Sequence, residues 1–164
     1  MTTATRPALG KIDPAVFTRI LDEGYGTGAW HGPDFAAALA DVTAETAFER
    51  PAAGRHSIAE IALHQAWCAR AVIGQLTGQA PDPFPLPGED WFELEPSGEL
   101  SWPEVLEVVE AQQKKLATTV AKIGSDRRPS PLTEAERFDL VLGITCHAIY
   151  HAGQVQLVKR LLSS

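Results

Sequence analysis

Three times in this chain a hydroxyl residue stands three positions ahead of a glutamate and directly before a long stretch of helical apolar period. These are Ser57-Ile58-Ala59-Glu60, Ser101-Trp102-Pro103-Glu104 and Thr133-Glu134-Ala135-Glu136. Each is a capping box. The hydroxyl oxygen accepts from a free N–H of the first turn, and the glutamate reaches back to the N–H of the cap itself. Three such starts predict long helices from Ser57 to about Thr77, from Trp102 to about Ile123 and from Glu134 to about Leu162. Asp13-Pro14 opens a further helical region, Pro14 to about Val42, which Gly24-Tyr25-Gly26-Thr27-Gly28 and Gly32-Pro33 are expected to interrupt. Those glycines make a poor phosphate loop, because no strand leads into them. No segment of comparable length alternates with the period of a strand, so the expected fold is all-α.

Between the second and third helical regions lies a proline-rich stretch, Gly78 to Leu100, too long for a tight turn. A long connection can cross a bundle, so the second and third helices are expected to run parallel. The result is an up-down-down-up four-helix bundle with a crossover loop. The aromatic residues of that loop, Phe84, Trp91 and Phe92, are read as packing over the bundle end, with a pocket border as the alternative. The 164 residues suit one domain, 1–164, with a flexible N-terminus over 1–12.

Composition narrows the partners. A net charge of -7 disfavours nucleic acid, because Lys114-Lys115 and Arg127-Arg128 are small clusters rather than a docking stripe. No apolar run approaches the ~20 residues needed to cross a bilayer, so no membrane partner is expected. The N-terminal segment lacks an apolar signal-type stretch, and two cysteines, Cys68 and Cys146, make no disulfide framework; both point to a cytoplasmic location.

Chemistry concentrates on histidine. Leu140, Ile144, His147, His151, Val158 and Leu162 share one face of the last helix, so two histidines interrupt an apolar stripe. On the second helix His64 lies between Ile61 and Cys68, also facing inward. The third helix, with Trp102, Val105, Leu106, Val109, Leu116, Val120 and Ile123, offers no comparable ligand and reads as structural wall. An i, i+4 pair such as His147 and His151 presents two ring nitrogens to one cation, and His64 can supply a third across an ordinary helix spacing of ~8–10 Å. Three neutral nitrogens and an open position match a catalytic type of zinc site. From spacing alone a second reading stands beside it, that of inward histidines hydrogen-bonded within the core.

Other residues rank lower. Cys68 shares a face with His64 and could in principle ligate, although a small buried hydrophobe is the usual fate of such a cysteine. Cys146 faces away from His147, and His31 and His56 fall in loop or cap positions and read as surface residues. Tyr150 and Gln154 could hydrogen-bond near the metal or the substrate, but helix packing and surface placement are the stronger readings, so both rank second. A zincin needs Glu after its first histidine, and here that place is Ala148 in His147-Ala148-Ile149-Tyr150-His151. A di-iron bundle needs Glu three residues ahead of histidine, which none of these three has.

Trp30-His31-Gly32-Pro33, the run His56-Ser57-Ile58-Ala59-Glu60 on to His64 and Trp67, and His147-Ala148-Ile149-Tyr150-His151-Ala152-Gly153-Gln154 together resemble the DinB-like, or YfiT-like, metal-binding four-helix bundles. That family is distinct from the DNA polymerase of similar name. The resemblance implies the up-down-down-up topology and one metal site made from His64, His147 and His151. It also implies homodimerisation and, in some members, transfer of a low-molecular-weight thiol such as bacillithiol or mycothiol. The expected cofactor is one divalent metal ion, zinc or nickel ahead of iron or manganese. The expected partner is a small-molecule thiol or its electrophile, with thiolate stabilised at the metal. A metal-dependent hydrolase and a non-catalytic, stress-response metal-binding module remain as alternatives.

Overall fold

The computed structural model describes residues 8–26 and 28–163. Among them lie six helices and no strand: α1 Pro14–Gly24, α2 Phe35–Leu39, α3 Ala44–Phe48, α4 Ile58–Thr77, α5 Trp102–Gly124 and α6 Glu134–Leu162. The expectation of a flexible stretch over 1–12 lies largely outside the described residues.

The three capped helices begin one residue after their caps; the box is closed from both sides at Ser57 and Thr133, while at Ser101 the main-chain N–H and the hydroxyl both donate to Glu104. The first helical region divides, as its glycines demand. α1 ends at Gly24, and Asp34 restarts the chain as α2 by accepting from the N–H groups of Ala36 (2.8 Å) and Ala37 (3.1 Å). Two five-residue helices, α2 and α3, thus stand beside the four longer ones. The extra piece beyond that break, α3, is capped by Thr43, whose hydroxyl accepts from Thr46 N at 3.3 Å. With five residues it is too short to show a helical period, so only its cap could have announced it.

α4 packs against α5 and α6, α1 against α5 and α6, and α2 lies on α6, while α3 sits against α4 and α5. Two apolar clusters fill the interior. One gathers Phe35, Ile58, Leu63, Trp102 and Val155; the other gathers Phe17, Leu76, Leu116, Val120 and Val141. The close approach of α1 to α6 requires Gly24, where a Cβ would stand 3.1 Å from Thr145 O and 3.2 Å from Ala148 Cβ. No helix among the described residues is long and apolar enough to cross a membrane.

Residues 79–101, between α4 and α5, form no helix or strand. One buried carboxylate ties this stretch down. Glu60, 2% exposed, accepts from Ser57 N at 3.0 Å within its capping box and from Leu94 N at 3.2 Å, 34 positions away. It also pairs with Arg50, just after α3. Burial alone would raise its carboxyl pKa, but the hydrogen bonds from Arg50, Ser57 and Leu94 outweigh burial and hold it below the ordinary value. A depressed folded-state pKa contributes stability above the unfolded value of ~4.3, and that contribution is lost as pH falls through the lower folded value. Glu60→Ala is therefore expected to destabilise the protein by about 2–3 kcal/mol at neutral pH, because it strands buried donors. Melting curves of wild type and Glu60→Ala should converge as pH falls below ~4; a gap that stays constant from neutral to acid pH would contradict the ionic role.

Candidate metal centre

α4 and α6 bring five polar side chains to one place. His64, Gln65 and Cys68 come from α4, and His147 and His151 come one turn apart from α6. His64 and His151 are buried at 5% and 2% exposure, and His147 is half-buried. His64 Nε2 lies 3.2 Å from His147 Nε2, and His151 Nε2 lies 3.1 Å from the same atom. The rings meet at steep angles, 55° between His64 and His147 and 82° between His147 and His151.

The opposite ring nitrogens decide what those short distances mean. His64 Nδ1 donates to the main-chain oxygen of Asp90 at 2.9 Å and lies 3.1 Å from its carboxylate Oδ1. His147 Nδ1 donates to Gln65 Oε1 and His151 Nδ1 to Gln154 Oε1, both at 2.6 Å. Gln154 is in turn fixed by donating to the Tyr150 hydroxyl at 3.0 Å. Every Nδ1 thus faces an oxygen acceptor and carries the ring's hydrogen, which leaves all three Nε2 atoms with bare lone pairs. Lone pairs crowded at this range repel unless a positive charge lies among them.

Protons on His151 or His147 are a poor source of that charge. Burial, with the like charge of His147 behind it, pushes the His151 imidazole down to about 4, and burial followed by His64 lowers His147 as well. Both rings are accordingly neutral at neutral pH. A divalent ion would supply it: metal–nitrogen bonds of ~2.0–2.1 Å put neighbouring ligand nitrogens roughly 2.8–3.4 Å apart in octahedral to tetrahedral geometry. The separations of 3.2 and 3.1 Å fall in that interval. Each Nδ1–H bond to an oxygen is also the usual outer support of a metal-bound histidine.

Cys68 joins this group, as its shared face with His64 allowed, rather than serving only as a buried hydrophobe. Its Sγ lies 3.8 Å from His64 Nε2, 4.0 Å from His64 Nδ1 and 4.0 Å from His147 Nε2. His64, Cys68 and His147 offer ligand atoms all within 4.8 Å of one another, a set that could hold a metal ion. Burial, then the charge of Asp90, pushes the free thiol up to about 12, so without a cation it stays protonated. Cys146 is exposed.

The 79–101 stretch roofs the site. Trp91 stacks on His64 with ring centroids 3.9 Å apart at 7°, and on its other face His56 stacks at 3.8 Å and 10°. Asp90 takes φ 64, a left-handed conformation costly for a residue with a Cβ, and in doing so presents its carbonyl to His64. Trp91 therefore borders the site and does not simply pack over the bundle end, whereas Phe92 is buried in the core against Phe84. His56 is a surface residue, as expected, that also braces this roof and lies 3.4 Å from Glu60 Oε2. His31 is a surface residue, 2.7 Å from the Glu23 carbonyl oxygen.

A family model described as the DinB superfamily matches residues 28–155, a span that contains every residue of the group above. No curated protein and no solved structure matches the chain.

The tautomers are directly testable. In the metal-free protein at neutral pH, long-range proton–nitrogen NMR spectra should show His64, His147 and His151 protonated at Nδ1 and bare at Nε2. Resonances of protonated Nε2 on two of the three rings would contradict the arrangement.

Proposed function

The chain belongs to the DinB superfamily, and from that membership and the meeting of three bare imidazole nitrogens we propose a metal-dependent transferase acting on a low-molecular-weight thiol. The carrying observation is the orientation of the rings, since each Nδ1 is committed to an oxygen and each Nε2 is left for a cation. His64, His147 and His151 would hold the ion through Nε2. A divalent ion there supplies positive charge that favours the anionic, nucleophilic form of a sulfur placed beside it.

The chain's own residues do the remaining work. Asp90, Gln65 and Gln154 hold the rings in place by accepting from Nδ1, which keeps the tautomers correct while substrate comes and goes. Trp91 covers one face of His64 and excludes water from it. Tyr150, 63% exposed and 5.3 Å from the His151 ring, stands at the rim where a substrate would enter. The same charge would ionise a bound water and give a hydrolase, the second reading; the Asp90 carboxylate, turned onto His64, is not free to serve as its base.

The same reading takes the bundle as up-down-down-up, with 79–101 as its crossover, and zinc or nickel as the ion. The exposed Leu142, Tyr150, Leu157 and Leu161 along α6 support pairing with a second copy.

Untagged protein titrated with zinc is expected to take up about one ion per chain. His64→Ala, His147→Ala and His151→Ala should each weaken uptake by more than the ~10–100-fold typical of losing an outer-shell partner, and Gln65→Leu should fall within that range. Conjugation of a chromogenic electrophile to bacillithiol, mycothiol or glutathione should require the ion and vanish in the three histidine variants. Tight zinc uptake with no turnover across that panel would overturn the transferase reading and favour a non-catalytic module.

A further inference from the structure

We propose that Cys68 closes the centre as its fourth ligand, through Sγ, an inference that rests on the three histidines holding an ion as above. The residue follows His64 by one turn of α4, so it shares the inward face. With metal–nitrogen bonds of ~2.0–2.1 Å and a metal–sulfur bond of ~2.3 Å, a tetrahedral site places sulfur roughly 3.6 Å from each ligand nitrogen. Cys68 Sγ stands 3.8 Å from His64 Nε2 and 4.0 Å from His147 Nε2, close to that value on two edges. Its 4.0 Å distance to His64 Nδ1 shows the sulfur lying alongside the ring.

The chemistry of the donor set agrees. Cys68 Sγ belongs with His64 and His147 to a group of potential ligand atoms that all lie within 4.8 Å of one another, and His151 Nε2 stands 3.1 Å from the His147 member, so the thiol sits inside the cluster and not beside it. On ligation the S–H bond breaks, its proton passes to water, and the sulfur lone pair binds the ion. One thiolate among three imidazoles gives a soft, partly anionic set that selects zinc or cobalt over manganese or magnesium. It also places at the fourth position the same chemical group that the proposed substrate carries. A small thiol would enter by taking that place or by expanding the site to five ligands.

Cobalt(II) distinguishes the possibilities without reference to activity. Untagged wild type, Cys68→Ser, Cys68→Ala and Cys146→Ser are titrated with cobalt(II) alone, in a thiol-free buffer with a phosphine reductant, and circular dichroism checks the fold of each variant. Visible ligand-field bands are expected in all four, reporting the histidines. An intense ultraviolet thiolate-to-cobalt band is expected in wild type and Cys146→Ser and should be lost in both Cys68 variants. Ligand-field bands in wild type without the thiolate band would overturn Cys68 ligation and leave the three-histidine centre standing. A thiolate band that survives in Cys68→Ser and Cys68→Ala would overturn it too. No cobalt uptake by wild type would overturn the metal centre itself, and this inference with it.

Discussion

A buried imidazole has two nitrogens to satisfy, and the way this molecule satisfies one on each of three rings determines what the other three can do. Asp90, Gln65 and Gln154 supply oxygen acceptors to Nδ1, and the hydrogen follows the acceptor. The three Nε2 lone pairs are then left facing one another, in an interior that resists protonating His151 and His147. Leaving even one polar group of this kind without a partner costs about 1–3 kcal/mol. A fold that gathers three of them has either stored a penalty or prepared a site, and the metal reading removes the penalty.

The support for those acceptors reaches well away from the rings. Gln65 and Gln154 come from the same helices as the histidines, but Asp90 comes from a stretch with no secondary structure of its own. Glu60 makes that stretch reliable by joining the start of α4 to Leu94 and to Arg50. Trp91, stacked between His56 and His64, then fixes the plane of the His64 ring. A capping glutamate thus serves twice: it starts the helix that carries His64 and it anchors the segment that orients His64. Loss of such a residue acts on stability and on site geometry together.

What the sequence disclosed depended on whether the signal was local. The capping boxes and the 3.6-residue period lie within a few positions of one another, so α4, α5 and α6 were legible almost to the residue, and the shared inward face of His64, His147 and His151 followed from them. α3 was hidden by its brevity. Asp90 and Trp91 were hidden because a proline-rich loop has no period, and its course is set by contacts across 26 to 34 positions, His64 to Asp90 and Glu60 to Leu94. Gln65 follows His64 directly and so points about 100° away around α4; its role became visible only once α6 lay on that side. Cys68 stood on the right face from the outset, but residue type favoured a hydrophobe, and only the measured sulfur–nitrogen distances argue otherwise.

The most direct measurement is an anomalous-difference map from crystals of untagged protein grown with zinc. One peak is expected at ~2.0–2.1 Å from the Nε2 atoms of His64, His147 and His151, with Nδ1 of each ring still bound to its oxygen. A map with no peak among these rings, or with zinc reached through Nδ1 after the rings have turned over, would contradict the account at its root.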